Sequence, residues 1–330
     1  MVNHRRVHVG SAALLIAAAF ASAPAAAQDW PSRPITMVVS FAAGSPIDVA
    51  GRIMAARMSE LLGQQIIVEN IAGSGGMTGA AQVAKATPDG YRFLFGGTAT
   101  HAYNQTMFRT PLYDAAADFV PVALVAETPS VLVAFKGLPI NNFQEFVAHA
   151  KANQASMQYG SVGVSSASHL ACALFNARIR INVTHVPYRG GTQSMQDVIA
   201  GRLDYSCPLG ASAIPQIEGK TVKALAILAK KRWSVFPDLP SISEQGLPDF
   251  DASSWYAIYL PKGTPAPIVQ KMHAAAAAAM ETPGVQQRMQ QAAAELVPPE
   301  RRSPDYLAKF TVSEIERWGA AIKTANIERD

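Results

Sequence analysis

Cysteine occurs only twice in 330 residues, at Cys172 and Cys207. One pair is not a multi-bridge scaffold, so the fold must rest on a core of buried apolar side chains. The sequence leaves open whether the two pair, because it does not place their Cα atoms within bonding reach. Charge is scarce as well. Asp, Glu, Lys and Arg make up 16% of the chain, the formal net charge is +4, and no long basic run occurs. Nucleic acid is therefore not an expected partner. Several catalytic signatures are also missing from the sequence. There is no G-x-x-x-x-G-K-[ST] to cradle a triphosphate, no G-x-S-x-G elbow, and no H-E-x-x-H or cysteine pair at metal-ligand spacing. The Gly73-x-Gly75 pair is not a dinucleotide fingerprint, since Gly79 falls at the wrong spacing and the run follows a second strand rather than a first.

What is present begins with a leader. Arg5 and Arg6 precede the apolar run Ser11–Ala23 and the Ala25-Ala26-Ala27 site. That order predicts a secretory signal peptide cleaved after Ala27, with Gln28 as the new N-terminus and a periplasmic product. The neighbours His4 and Val7 give twin-arginine export little support. Removing residues 1–27 removes two cations and no acid, so +4 becomes +2 (4 − 2). No later segment reaches the roughly 18 uninterrupted apolar residues of a membrane span. The roughly 300 residues that remain suffice for one large or two medium domains.

Hydrophobic spacing then sets the rhythm. Ile35–Ser40, Gln65–Glu69 and Tyr91–Phe95 read as buried strands, separated by helical patterns at Val49–Leu62 and Thr78–Ala86. This is the βαβαβ order of an open parallel sheet. Val122–Val125 and Val131–Phe135 flank Glu127-Thr128-Pro129, a hinge candidate. A second α/β series follows, from a helix at Phe143–Ala152 to a strand at Val222–Leu228. Beyond a proline-rich segment come a strand at Trp255–Leu260 and helices at Pro267–Glu281, Val285–Ala294 and Pro304–Ala325. The expected organisation is a first lobe of residues 28–127 plus 253–330 and a second of residues 128–252. A chain that crosses twice between lobes makes a hinged cleft.

The stretch Ala43-Gly44-Ser45-Pro46-Ile47-Asp48 sits where the first strand gives way to the first helix. Ser45 takes the N-cap position, Pro46 the first helical position, and Asp48 is placed to reach back toward the start. The carboxyl end of a parallel strand is where α/β proteins bind ligands, and free amides at a helix start favour an anion. One such turn carries little weight, since every α/β unit needs one. Here it recurs, at Asn70–Gly79, Gly96–His101, Gly160–His169 and Tyr188–Thr192. Glycine, serine and threonine at so many strand ends predict an anion site made mostly of main-chain amides. Thr98, His101 and His169 lie beside that expected cleft, His101 and His169 as ligand donors or as structural residues alike, whereas His185 reads as structural. Cys207 ends a strand and is a candidate lining residue. No catalytic residue, metal ligand or cofactor is indicated.

These residues carry a resemblance over essentially the whole mature chain. Its landmarks are Trp30–Ile35, Phe41–Asp48, Val68-Glu69-Asn70 with Gly73–Gly76, Thr87–Tyr91, Tyr159–Ser161 through Ser168-His169-Leu170, His185–Gly190, Asp238–Ile242 and Gly246-Leu247-Pro248. In that order they resemble the extracytoplasmic solute receptors of tripartite tricarboxylate transporters, the Bug receptor family. The resemblance implies a two-lobed α/β periplasmic binding protein of the Venus-flytrap type, each lobe a mainly parallel sheet flanked by helices. It implies a monomer that closes on a small carboxylate and serves an integral-membrane permease. The second-lobe loop would hold the carboxylate, through Ser161, Gly163, Val164, Ser165 and Ser166. First-lobe loops would approach the other end, through Ala43, Ser45, Ile47 and Asp48 and through Gly75, Gly76 and Met77.

The first loop departs from the family's usual Pro-Gly-Gly-Gly-Thr-Asp. Pro46 removes an amide donor and Ile47 replaces a hydroxyl with an apolar branch, and an acid or amide common near Cys207 is missing. The expected ligand is therefore an aromatic or otherwise apolar-bodied mono- or dicarboxylate rather than glutamate. Two other functions compete: a receptor that signals to a sensor kinase, and, weakest, a periplasmic hydrolase.

Overall fold

The computed structural model describes residues 30–327, so the signal-peptide reading of residues 1–27 lies outside the described residues. From the amino end the elements run β1 (Ile35–Val39), α1 (Pro46–Leu62), β2 (Ile66–Asn70), α2 (Met77–Ala84), β3 (Arg92–Gly97), α3 (Asn104–Met107) and β4 (Phe119–Thr128). Then come β5 (Val131–Phe135), α4 (Phe143–Asn153), β6 (Gln158–Ser161), α5 (Ala167–Ile179), β7 (Thr184–Pro187), α6 (Gly191–Ile199), β8 (Tyr205–Ser206), α7 (Gly210–Glu218) and β9 (Val222–Ile227). The chain closes with β10 (Ser254–Pro261), α8 (Ala266–Met280), α9 (Pro283–Gln291), β11 (Glu295–Leu296) and α10 (Pro304–Thr324).

Two sheets result, ordered β11-β4-β10-β3-β1-β2 and β7-β6-β8-β5-β9. This is the expected two-lobed α/β architecture. Both sheets are mixed rather than mainly parallel. β1 pairs in parallel with β2 and β3, and β6 with β7 and β8, but β10 runs antiparallel to β3 and β4, and β5 antiparallel to β8 and β9. The reason is the second crossing: β10 arrives from the other sheet and inserts between β3 and β4 against their direction. At the crossings the two chain passages run side by side. The Ser130 hydroxyl donates to the Ala252 carbonyl (3.1 Å), and Ala252 N–H to the Leu228 carbonyl (2.8 Å).

Helix α1 shows how the sequence fixes an element. Pro46 opens it, and Gly63 ends it in the left-handed region at φ 69°, which a side chain would resist. Between them Ala50, Ile53, Met54, Met58 and Leu62 make one buried face against Met37, Val39 and Phe95 of the sheet. Each such buried aliphatic side chain contributes about 1.5–3 kcal/mol. Alternation along β1 sends Val38 to the opposite face, where it meets α2 and Trp318 of α10. The second sheet is likewise covered on both faces, by Phe146 and Phe175 on one and Val198 and Trp233 on the other.

The cysteines are joined. Cys172 of α5 and Cys207, one residue past β8, form a disulfide with Cα atoms 5.4 Å apart, inside the reach such a bond requires. Cys207 is thus not a lining residue. Successive side chains on a strand point to opposite faces, so Tyr205 and Cys207 enter the core under α5 while Ser206 between them faces the other way.

Candidate functional site

Where the lobes meet, a small cavity of about 80 Å³ is walled by the second lobe and touched from the first by Pro46. Its lining combines five serines (Ser161, Ser168, Ser194, Ser206, Ser212) with the apolar surfaces of Pro46, Val162, Ala167, Met195, Pro208 and Leu209. Gly191 completes it, and none of the lining residues carries a charge.

The wall is made of helix starts. Pro46 is the first residue of α1, Ala167 and Ser168 open α5, Gly191 opens α6, and Leu209 precedes α7. A helix start presents unpaired amides and the positive end of the backbone dipoles, so four converging starts make a region that attracts an anion. The starts are not equivalent. Ser166 caps α5, accepting the His169 amide at 3.2 Å. Ser45, Gly190 and Leu209, at the corresponding positions of α1, α6 and α7, make no side-chain cap. At α6 the amides of Gly191, Thr192 and Gln193 are therefore left to a ligand or to water, whereas at α7 the Gly210 amide donates to the Pro129 carbonyl and the Ser212 amide to the Leu209 carbonyl, each at 2.9 Å, and at α1 Pro46 has no N–H.

The serines differ in the same way. Ser206 Oγ donates to the Gly160 carbonyl (2.9 Å), and Ser168 Oγ accepts the Val162 amide (3.1 Å). Ser161 Oγ bridges the Gly163 amide and carbonyl, each at 3.1 Å, and lies 2.7 Å from His185 Nε2. Ser194 Oγ is buried with no hydrogen-bond partner, and a buried hydroxyl without a partner is costly unless a ligand supplies one.

The second-lobe loop differs from its expected role. Its amides are engaged inside the protein: Val162 with Ser168, Gly163 with Ser161, Ser165 with His169 Nδ1 (3.3 Å), and Ser166 with the Gly163 carbonyl (3.3 Å). Of the candidate residues on that loop, only Ser161 lines the cavity, and Val164 lines a different one. The uncapped start of α6, at Gly191, leaves more of its amides free than that loop does.

Among the first-lobe candidates, Asp48 reaches back as expected, accepting the Gly44 amide at 2.8 Å and the side chains of Arg52 and Asn70. Burial pushes its carboxyl up, but the bonds from Arg52, Asn70 and Gly44 outweigh that and hold it below the usual range. Asp48 organises the loop and is itself 1% exposed. Ser45 Oγ is buried without a partner, and Ala43 is exposed. Ile47 packs into the first-lobe core and does not make the cleft apolar; Val162, Met195 and Leu209 do that. Gly75, at φ 60°, lies against Ser165 of the other lobe, whereas Gly76 packs against Phe41 and Thr100. Met77 is in the core, and Thr98 Oγ1 accepts the Trp255 amide at 2.7 Å.

His101 is not beside the cleft. It is fully buried, its ring stacked 3.7 Å from Tyr259 and edge-on to Phe119, with Nδ1 3.0 Å from Thr100 Oγ1. Beyond the end of β3 the chain winds into a wide π-helical turn, Ala99–Tyr103, that carries the ring inward. Burial drives its pKa down to about 3. His169 and His185 stack on each other, centroids 4.2 Å apart, behind the serine wall. Burial lowers both, His169 to about 3 with help from His185, and His185 to about 4.

Sequence reasoning missed Ser168, Ser194, Ser206, Ser212, Met195 and Leu209. The one available signal was the glycine pair at Gly190-Gly191, which marks the uncapped start of α6.

Comparison with known proteins finds similarity along nearly the whole chain. The family model described as "Tripartite tricarboxylate transporter family receptor" matches residues 50–327. The structure of the periplasmic binding protein BugD superposes with a TM-score of 0.82 at 32% identity, covering 91% of this chain and 100% of BugD. MatC of Rhodopseudomonas palustris with bound malate gives 0.82 at 36%, covering 88% and 99%. A second R. palustris protein, with adipate, gives 0.84 at 33%, covering 92% and 100%.

Proposed function

The chain belongs to the tripartite tricarboxylate transporter receptor family, and from that premise we propose that it captures a small organic carboxylate between its lobes and delivers it to a membrane permease. The observation that carries this reading is the convergence of uncapped helix starts and a partnerless buried hydroxyl, Ser194, on one cavity without a charged side chain. Such a cavity holds a carboxylate by dipoles and hydroxyls. It has nothing acidic to pair with an ammonium group, so amino acids are poor ligands. The apolar faces of Pro46, Val162, Met195 and Leu209 suit a hydrocarbon body, and relatives solved with malate and adipate fit the same class.

In this reading the lobes are residues 28–127 with 253–330, and residues 128–252. The hinge is the paired passage at Ser130 and Ala252. Closure is a population shift set by the ligand's greater affinity for the closed form. The receptor acts in the periplasm after cleavage behind Ala27, as a monomer, without cofactor or turnover. Ser161 and His185 lie within hydrogen-bond distance, yet the hydroxyl is engaged by Gly163. The ring's stacking neighbours are Tyr159 and His169, not an orienting carboxylate.

Calorimetric titration of the mature protein against adipate, malate, terephthalate and glutamate tests the ligand class. Binding of adipate or terephthalate with none of glutamate is expected. Tight glutamate binding refutes it, and hydrolysis of a carboxylate ester would refute the absence of turnover.

A further inference from the structure

The cavity's serine wall is gripped from behind by two histidines. His169 Nδ1 accepts the Ser165 amide at 3.3 Å, and His185 Nε2 lies 2.7 Å from Ser161 Oγ. Ser165 needs the grip, because its φ of 58° places a side-chain-bearing residue in the left-handed region. Ser166, the next residue, caps α5, so the turn at Ser165 sets where α5 begins and where Ala167 and Ser168 face the cavity.

We propose that His169 and His185 are positioning residues for the anion-receiving wall: neutral His169 clamps the turn at Ser165, His185 clamps Ser161, and protonation of His169 on Nδ1 releases the turn at Ser165. The proposal deepens the carboxylate-receptor reading and rests on it only for its effect on affinity.

The chemistry follows from the donors. An amide N–H pointing at Nδ1 requires a lone pair there, so neutral His169 carries its proton on Nε2. A second proton on Nδ1 would set two donors against each other and break the clamp. The rings open on a separate cavity of about 520 Å³, also lined by Tyr159, Asn176, Asn182 and Asn326. From β6, Tyr159 stacks 4.9 Å from His185 and 6.5 Å from His169; Tyr205 of β8 stacks in turn on Tyr159. Among the described residues, the stretch after α10 contributes Ala325, Asn326 and Ile327. Among the described residues no carboxylate, lysine or arginine lines that cavity, so none of its described lining groups brings a charge that would stabilise an imidazolium. The lowered pKa values of both rings agree.

The test uses the mature chain, wild type and the variants His169→Asn, whose Oδ1 keeps an acceptor, and His169→Phe, which has none. Ring ¹⁵N spectra of the wild type need no variant to fold; at pH 7 they should show His169 neutral and protonated on Nε2. A proton on Nδ1 overturns the proposal. Hydrogen exchange at the Ser165 amide should be about tenfold faster in the Phe variant, as for one lost hydrogen bond, and near wild type in the Asn variant. Equal exchange in all three overturns it. Adipate titration at pH 7 should show the same ranking, and, because the folded-state values lie at about 3 and about 4, a fall in affinity steeper in the wild type than in the Asn variant should set in only below about pH 5. Equal adipate affinity in all three proteins also overturns the proposal. Failure of adipate to bind any of them counts against the ligand class, while the spectra and exchange still decide the clamp.

Discussion

Gly75 of the first lobe and Ser165 of the second stand so close that a methyl group on Gly75 would lie 3.4 Å from the Ser165 carbonyl oxygen. Gly75 also has φ 60°, and its carbonyl accepts from Asn104 Nδ2 at 3.0 Å. The contact exists only with the lobes together. Gly75→Val should therefore oppose closure, through both the added bulk and a left-handed strain of about 1–2 kcal/mol. Ligand affinity should fall roughly tenfold for each 1.4 kcal/mol. Small-angle scattering with ligand should show the variant more extended than the wild type; identical scattering and affinity would contradict the contact's role.

Ser194→Ala separates binding from folding. In the free protein the hydroxyl is buried without a partner, so its removal should leave stability unchanged or raise it by up to about 1 kcal/mol. Carboxylate affinity should fall by about 1.5–3 kcal/mol, the range for a hydrogen bond to a charged group. Chemical denaturation and calorimetry on the same variant check both signs. A loss of stability with unchanged affinity would make Ser194 a folding residue.

His101 makes stability depend on pH. Its folded-state pKa is lowered, to about 3, by burial, so the unfolded chain takes up the proton first, near pH 6.5. Stability is then flat above that pH and declines as pH falls from about 6.5 toward the folded value. Between pH 7 and pH 5 the ring accounts for about 2 kcal/mol. His101→Phe, which keeps the stacking on Tyr259, should remove that part of the slope in urea denaturation. An unchanged slope would contradict the burial argument.

The Cys172–Cys207 bond closes a loop across 35 positions, for which chain entropy gives a stabilisation of about 3–4 kcal/mol. Replacing both cysteines by alanine should lower the denaturation midpoint accordingly while carboxylate affinity changes little, because Cys207 faces away from the cavity. Loss of affinity greater than loss of stability would contradict that placement.

Much of the fold was legible because its signals are local. Ile35–Val39 is a β-branched run, and Ser45-Pro46 with Gly63 brackets α1. The site was less so. The glycine turns pointed to the strand ends, but Ser194, Ser206 and Ser212 are single small residues in ordinary elements, made neighbours only by tertiary convergence. His101 misled because the glycines that end β3 looked like a loop, whereas the following residues wind into a π-helical turn. Ile47 misled for a periodic reason: it falls on the buried face of α1 while Pro46, one residue earlier, faces the cleft. The two-residue strand β11 is too short to carry any pattern.

The most direct measurement is a crystal structure of the mature protein with adipate. The account predicts one carboxylate against the amides that open α6, within hydrogen-bond distance of Ser194 Oγ, with the chain's methylenes against Met195 and Leu209. A carboxylate paired with a lysine or arginine, or lodged in the cavity beside His169, would contradict it.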